Sequence, residues 1–218
     1  MTNERNLLPL MIDLSGRQVV IIGGGSVGER KAILFSKYAD TTVVSAGFTT
    51  KLEEMKDAGK LNLVQADLGS LPDYKIAELI SDAFLVIPAT NNIQLNNRIV
   101  EIARKSDILI NKVDSVGDVV VPSVITRGKL TIGISTLGSS PALSKYTRKK
   151  IEQVITPQYA DMIRLQDEIR TYLKQYVPDQ EDRKDILWKI LDNEDVWNAL
   201  SESYEKAYNI AHNIVKTN

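Results

Sequence analysis

The 218-residue chain contains no cysteine and only one histidine, His212, which lies close to its end. The lack of cysteine excludes disulfide bonds, thiolate nucleophiles and sulfur-ligated zinc or iron–sulfur sites. A single imidazole cannot build a multi-histidine metal centre, so we expect no resident transition metal. A Ser-His-Asp hydrolase would have to recruit His212 as its base. The chemistry of this chain must therefore come from carboxylates, amines, amides, hydroxyls or a bound cofactor.

Long apolar runs are also lacking. No run approaches the roughly 18 residues that a membrane span requires, and no basic start leads into an apolar signal segment. We therefore expect a cytoplasmic protein with no membrane partner. The formal net charge is only −1, yet residues 112–150 carry seven Lys and Arg against two Asp and Glu.

Aromatic side chains are scarce, at 6% of the chain, and the basic stretch 112–150 contains only Tyr146. Proteins that bind single-stranded nucleic acid usually stack bases on several aromatic rings. We therefore expect no nucleic-acid partner, although binding to DNA that weakens steeply with salt would indicate one. A small polyanionic ligand and a merely solvated helix face are both open explanations of the positive charge.

The first half of the sequence alternates β-rich runs with stretches that have apolar residues at helical spacing. This pattern predicts an α/β fold, a Rossmann-type doubly wound parallel sheet with its ligand at the carboxyl ends of the strands. After Asn111, the run "VVVPSVITRGKLTIGIST" predicts a β-hairpin, and the rest is helical, with Ser140 as the N-cap of the first of these helices. The predicted strands of the sheet are residues 17–23, 41–45, 61–65, 83–88 and 107–111.

The segment "VVIIGGGSVGERKA" follows the G-x-G-x-x-G pattern of dinucleotide-binding turns, because it joins a buried strand to a helix. Gly23 permits the tight turn, Gly25 lets backbone amides approach a diphosphate, and Gly28 lets helix and strand pack closely. Gly24 lies within the same turn. Ser26 and Glu29 also form a capping-box pattern, so part of the signal is ordinary helix initiation.

The loops after the second and fourth strands lie at the same predicted edge as the glycine turn. The second strand ends in "TTVVSAGFT", without the acidic residue that usually binds the adenosine ribose, and Ser45 is a weaker substitute. No arginine follows to favour a 2′-phosphate, so NAD is preferred to NADP. After the fourth strand, Ala89, Thr90 and Asn91 are candidates for the ribose and nicotinamide side.

Asp114, in "NKVDS", follows the fifth strand directly. A carboxylate at this edge would be partly desolvated beside the nicotinamide and could act as a general base or contact a metal ion. On spacing alone, Asp114 is also explained by an Asx turn where the chain leaves the strand. Asp118 is a weaker candidate because it lies at the start of the hairpin.

Together these segments resemble the precorrin-2 dehydrogenases of sirohaem synthesis, a family that includes bifunctional dehydrogenase/ferrochelatases. The resemblance covers residues 7 to about 150, and its most specific parts are the opening glycine segment, "LVIPATNNIQLN", "NKVDS" and "VPSVITRGKLTIGISTLGSSPALSKYTRKKIE". It implies NAD-dependent oxidation of precorrin-2 to sirohydrochlorin by a homodimer with an intertwined hairpin region. The implied domains are an NAD-binding domain at 1–113, a dimerisation and active-site region at 114–150 and a helical domain at 151–218.

The resemblance also implies roles for individual residues. Asp114 matches the catalytic aspartate of the family. Cofactor contacts are implied for Ser26, Val27, Gly47 and Phe48. The substrate carries many carboxylates, so the implied substrate-binding residues are Asn111, Arg127, Lys129, Ser135, Lys145, Arg148 and Lys149.

Two alternatives remain at the level of the sequence. An NAD-sensing regulatory module would use the glycine turn without turnover and would need neither Asp114 nor the basic stretch. Ferrochelatase activity could accompany the oxidation, but the segment between Asp114 and Pro122 is shorter than in several bifunctional relatives, and Thr136 stands where some have serine.

Overall fold

The computed structural model describes residues 6–217 and divides the chain into two compact units, one ending at Val121 and the other beginning at Pro122. No helix in this described part is both long and apolar enough to cross a membrane. The division into three domains inferred from the sequence stays a prediction.

The first unit contains a five-stranded parallel sheet with the strand order β3-β2-β1-β4-β5. Strands β1 and β4 are neighbours, so the chain reverses its direction of winding between them. Such a switch point leaves a crevice at the carboxyl ends of the two strands. The predicted fold class is confirmed. The strands are β1 (Gln18–Ile22), β2 (Asp40–Ser45), β3 (Asn62–Gln65), β4 (Ala83–Pro88) and β5 (Leu109–Ile110).

Four helices cover the two faces of this sheet. Val19 and Ile21 pack on the side of α1 and α2, whereas Val20 and Ile22 pack on the side of α3 and α4. All four side chains are fully buried, which explains why the strand reads as a continuous apolar run. The helices are α1 (Ser26–Phe35), α2 (Thr50–Asp57), α3 (Asp73–Ile80) and α4 (Ile93–Lys105).

The second unit begins with the predicted hairpin, formed by β6 (Ser123–Arg127) and β7 (Leu130–Ile134). Gly128, the first residue of its two-residue loop, has a φ of 56°, a conformation that glycine adopts without steric strain. Helix α5 (Pro141–Val154) follows, and the Ser140 hydroxyl accepts a hydrogen bond from Leu143 N–H, as expected of its N-cap.

The remaining helices form their own apolar core. Its fully buried members include Leu165, Ile169, Ile190 and Val196. This core gives the second unit stability that does not depend on the two-stranded hairpin, which would be marginal alone. The helices are α6 (Gln158–Tyr176), α7 (Gln180–Leu191), α8 (Glu194–Glu202) and α9 (Tyr204–Lys216).

Candidate functional site

The glycine turn after β1 is held by close backbone contacts on two sides. Gly23 has a φ of 119°, and a Cβ at this position would lie 2.7 Å from the Ala89 carbonyl oxygen. A Cβ on Gly24 would collide with the Gly47 carbonyl, and one on Gly28 would collide with the Gly23 carbonyl. Three of the glycines are therefore required for packing, as proposed for the third glycine of the motif.

Gly25 differs from its neighbours, because within residues 6–217 no atom other than those of Gly25 and its two chain neighbours lies within 4 Å of the position that its Cβ would take. It is the N-cap residue of α1, and no side chain caps this helix. The predicted capping box is therefore wrong, since Ser26 is already the first helical residue. Among the described residues, no side chain caps the first amides of α1, at Ser26, Val27 and Gly28, which suits an anion at the helix N-terminus.

The loop after β2 lies directly against this turn. A Cβ on Gly24 would lie 2.9 Å from Phe48 Cδ1 and 3.1 Å from Ser45 Cβ. Thr49 N–H also donates to the Gly24 carbonyl over 3.2 Å. Predicted cofactor residues from two strands are thus gathered at one place, although their contacts to a cofactor stay a prediction.

The loop after β4 is shaped by a residue that the sequence argument did not single out, Asn96. Its amide oxygen accepts from both the amide and the hydroxyl of Thr90, at 3.2 and 2.7 Å, and its amide nitrogen donates to the Thr90 carbonyl at 3.0 Å. The Thr90 hydroxyl is also hydrogen-bonded to the backbone of Asn92. Thr90 is therefore fixed by protein partners, whereas Asn91 beside it is exposed. In the sequence, Asn96 is the final asparagine of "ATNNIQLN", and its place in this segment is the feature that could have indicated its role.

Asp114 lies beyond β5, at the same edge of the sheet as the glycine turn. Strand β5 pairs with β4, and a small depression between Asp114 and Pro88, the last residue of β4, is also lined by Asn96 and Asn97. The carboxylate is exposed and accepts a hydrogen bond from the Ser115 hydroxyl at 3.1 Å. The expected partial desolvation is therefore wrong for the chain by itself, because Asp114 lies in a loop that projects past the strand end.

Asn111 lies at the start of this loop and is buried, with 3% of its surface exposed. Its amide oxygen accepts from Lys31 Nζ at 2.7 Å, and its amide nitrogen donates to the Val119 carbonyl at 2.8 Å. Both ends of the amide are occupied by protein groups. A direct contact with substrate, which the resemblance implies for Asn111, has no support from this geometry.

Some of the basic residues predicted to bind substrate contact other protein groups, and others are exposed to solvent. Arg127 donates to the Ile155 carbonyl at the end of α5, and Arg148 forms an ion pair with Glu152 at 2.6 Å. Lys129 lies 3.8 Å from Asp167 with both side chains largely exposed. The two predicted cations that remain available are Lys145 and Lys149, which are exposed and one turn apart on α5.

Ser135, also predicted to bind substrate, uses its hydroxyl to accept from Leu137 N–H at 3.0 Å. Thr136 similarly accepts from Ser140 N–H at 3.0 Å, so hydroxyl groups occupy several backbone donors before α5. Leu137, the next residue, has a φ of 50°, which is unusual for a residue with a side chain of this size. Within residues 6–217, no group of three or more acidic or histidine side chains is arranged to hold a metal ion.

Comparison with known proteins identifies the family to which this chain belongs. Residues 10–123 match a family model described as NAD(P)-binding, and residues 127–153 match the model of the central region of sirohaem biosynthesis proteins. A precorrin-2 dehydrogenase of Methanosarcina barkeri is 61% identical over 217 residues, which cover 100% of this chain and 97% of that protein. The chain belongs to the precorrin-2 dehydrogenase family.

Two further matches show how far the similarity extends. The solved structure of SirC, a precorrin-2 dehydrogenase, superimposes with a TM-score of 0.75 at 26% identity and covers 96% of this chain and 100% of that one. A siroheme synthase of Escherichia coli is 30% identical over 203 residues, which are 92% of this chain but only 43% of that longer protein. The family inferred from the motifs of residues 7 to about 150 is therefore confirmed, and the similarity extends beyond these motifs to the helices that follow.

Proposed function

We propose that this protein oxidises precorrin-2 to sirohydrochlorin with NAD as the hydride acceptor. The observation that carries the proposal is that an open helix N-terminus at Gly25 and a carboxylate at Asp114 follow strands of one parallel sheet at the same edge. The first suits a dinucleotide and the second suits proton transfer. A close relative of nearly the same length carries the name of this activity.

The residues of the glycine turn fit a bound dinucleotide. The open space at Gly25 and the uncapped amides of Ser26 and Val27 would hold the diphosphate. Ser45, Gly47 and Phe48 would flank the adenosine side, and Ala89 and Asn91 the nicotinamide side. When bound, NAD supplies the acceptor for the hydride.

Asp114 would contact the substrate and accept the proton that leaves together with the hydride. A dehydrogenation removes two hydrogens, one with its electron pair and one as a proton, so a base close to the reacting carbon accelerates the step. In the described chain the carboxylate is exposed and bonded only to a hydroxyl donor, Ser115, so it can accept a proton without first breaking an ion pair.

We further propose that Lys145 and Lys149 attract the carboxylates of the substrate and that the protein is a cytoplasmic homodimer. The hairpin of β6 and β7 has only two strands, and its outer edges can pair with another chain. Leu143 and Tyr146 on α5 and Val124 on β6 expose large apolar side chains, as expected of a surface that a second copy covers.

The test of the proposed activity is to incubate the purified protein with precorrin-2 and NAD without oxygen and to follow both NADH and sirohydrochlorin. We expect the two products to appear in equal amounts, and more slowly with NADP. Binding of NAD without formation of NADH would support the alternative, a nucleotide-sensing module without turnover.

A further inference from the structure

Lys31 is a cation on the inward face of α1. It lies three residues after Gly28 and four before Phe35, both of which are buried, and its own side chain is half-buried. Burial, and to a smaller extent Arg30, lower the pKa of its ammonium group. Within residues 6–217 it forms no ion pair with a carboxylate. Its hydrogen bond to Asn111 is therefore a specific feature that compensates the burial of charge.

The geometry of this bond orients the Asn111 amide. Only the amide oxygen can accept from an ammonium group, and only the amide nitrogen can donate to the Val119 carbonyl, so the two partners fix which atom points where. The side chain of Asn111 consequently links α1 to both ends of residues 111–119, the loop that carries Asp114.

The base of this loop is closed by the backbone. The Ile110 carbonyl, at the end of β5, accepts from Asp118 N–H at 2.9 Å and from Val119 N–H at 3.1 Å. Gly117 lies so close that a Cβ there would collide with the same carbonyl. The loop therefore leaves the sheet and returns to the same place, with Asp114 near its tip.

We propose that Lys31 is a positioning residue that holds the Asp114 loop in register with the glycine-turn helix through Asn111. Helix α1 starts at the glycine turn, so Lys31 connects the helix that would hold the cofactor with the loop that would hold the base. This inference rests on the proposed function. A catalytic group displaced by about 1 Å can lose on the order of 10²-fold in rate.

The test compares Lys31→Met, which keeps the length of the side chain but removes the donor, with Lys31→Arg, which keeps a donor and the charge. We expect Lys31→Met to lower kcat by about 10- to 100-fold, to leave the Kd for NAD nearly unchanged, and Lys31→Arg to restore part of the rate. The matched control is Lys37→Met, an exposed lysine beyond the end of α1, for which we expect wild-type turnover.

A double-mutant cycle separates positioning from general destabilisation. If Lys31 acts by placing Asp114, Lys31→Met has little further effect on kcat when Asp114→Asn is already present. Equal losses in both backgrounds, or wild-type turnover by Lys31→Met, would overturn the proposal.

Amide hydrogen exchange of residues 111–119, measured without substrate, gives a readout that does not depend on the reaction. We expect faster exchange in this loop for Lys31→Met and no change for Lys37→Met. Unchanged exchange would contradict the tie between Lys31 and the loop. Absence of turnover by the wild-type protein would instead contradict the proposed function, and the exchange result would still decide whether Lys31 holds the loop.

Discussion

The individual glycines of the turn after β1 have different roles, as the atoms around each of them show. Gly24 faces the Gly47 carbonyl and the Phe48 ring, so it is needed for the fold of the turn. Gly25 faces open space and has an extended backbone with a φ of −84°, which any residue can adopt. We therefore predict that the absence of a side chain at Gly25 affects ligand binding and not the fold.

This difference predicts opposite effects of two alanine substitutions. Gly25→Ala should change the free energy of unfolding by less than about 1 kcal/mol, but its methyl group would occupy the space of the diphosphate and weaken NAD binding about tenfold or more. Gly24→Ala should destabilise the protein by about 1 to 3 kcal/mol, because the backbone must shift to admit the methyl group. Denaturant unfolding and NAD titration measure the two effects. Equal NAD affinity of Gly25→Ala and wild type would contradict the assignment.

The sequence alone predicts some residues of the candidate site, whereas others become apparent only in the structure. The glycines follow β1 directly and Asp114 lies in the loop after the fifth strand, at the edge where parallel-sheet geometry places ligands. Lys31 and Asn111 are 80 residues apart, and their hydrogen bond depends on tertiary packing that the sequence does not show. In the sequence, this bond is indicated only by a lysine on the apolar face of a helix. The capping box failed because the turn ends one residue earlier than the serine suggests, at Gly25.

At the scale of elements, the boundaries follow local backbone conformation more than apolar spacing. Strand β5 contains only Leu109 and Ile110, although the apolar run predicts residues 107–111. Asp107 has a φ of 53° and belongs to the turn that ends α4, so the strand cannot begin there. Helix α1 ends at Phe35, where the chain turns at residues 36–38 before it enters β2 at Asp40.

The hairpin and α5 provide a prediction about the basic residues. Arg127 binds the carbonyl at the end of α5, whereas Lys145 and Lys149 are exposed. Arg127→Met should therefore lower the free energy of unfolding by about 1 to 2 kcal/mol. Lys145→Met and Lys149→Met should each weaken precorrin-2 binding about two- to fivefold, as expected for exposed ion pairs of about 0.5 to 1 kcal/mol.

Thermal unfolding and precorrin-2 titration of these three variants check this assignment, and added salt should reduce the effect of the two lysine substitutions. If Arg127→Met retained wild-type stability but lost substrate affinity, we would conclude that this arginine binds substrate, as the family resemblance implies. The hydrogen bond to Ile155 would then be incidental.

At the scale of the whole molecule, the α/β class and the order of elements were predictable, because apolar runs, helical spacing and glycine turns follow one another along the chain. The division after Val121 was less accessible, since the core of each unit forms between residues distant in sequence. The matching relatives extend over both units, including the helices after residue 155 whose role the motifs do not address.

The proposed homodimer gives a prediction for the intact protein. Sedimentation equilibrium should yield a particle of twice the 24.3 kDa chain mass. Replacing exposed apolar residues of the hairpin and α5, as in Val124→Lys with Tyr146→Glu, should shift the protein towards the monomer. Tyr74→Glu, an exposed tyrosine on α3, is the matched control. A wild-type protein that is monomeric at micromolar concentration would contradict the proposal.

The most direct test of the central claim is a single-turnover oxidation of precorrin-2 by the full chain with saturating NAD, compared between wild type, Asp114→Asn and Asp118→Asn. We expect Asp114→Asn to lower the rate of NADH formation on the order of 10²-fold or more, with the Kd for NAD unchanged, and Asp118→Asn to retain the wild-type rate. A wild-type rate of NADH formation by Asp114→Asn would contradict it.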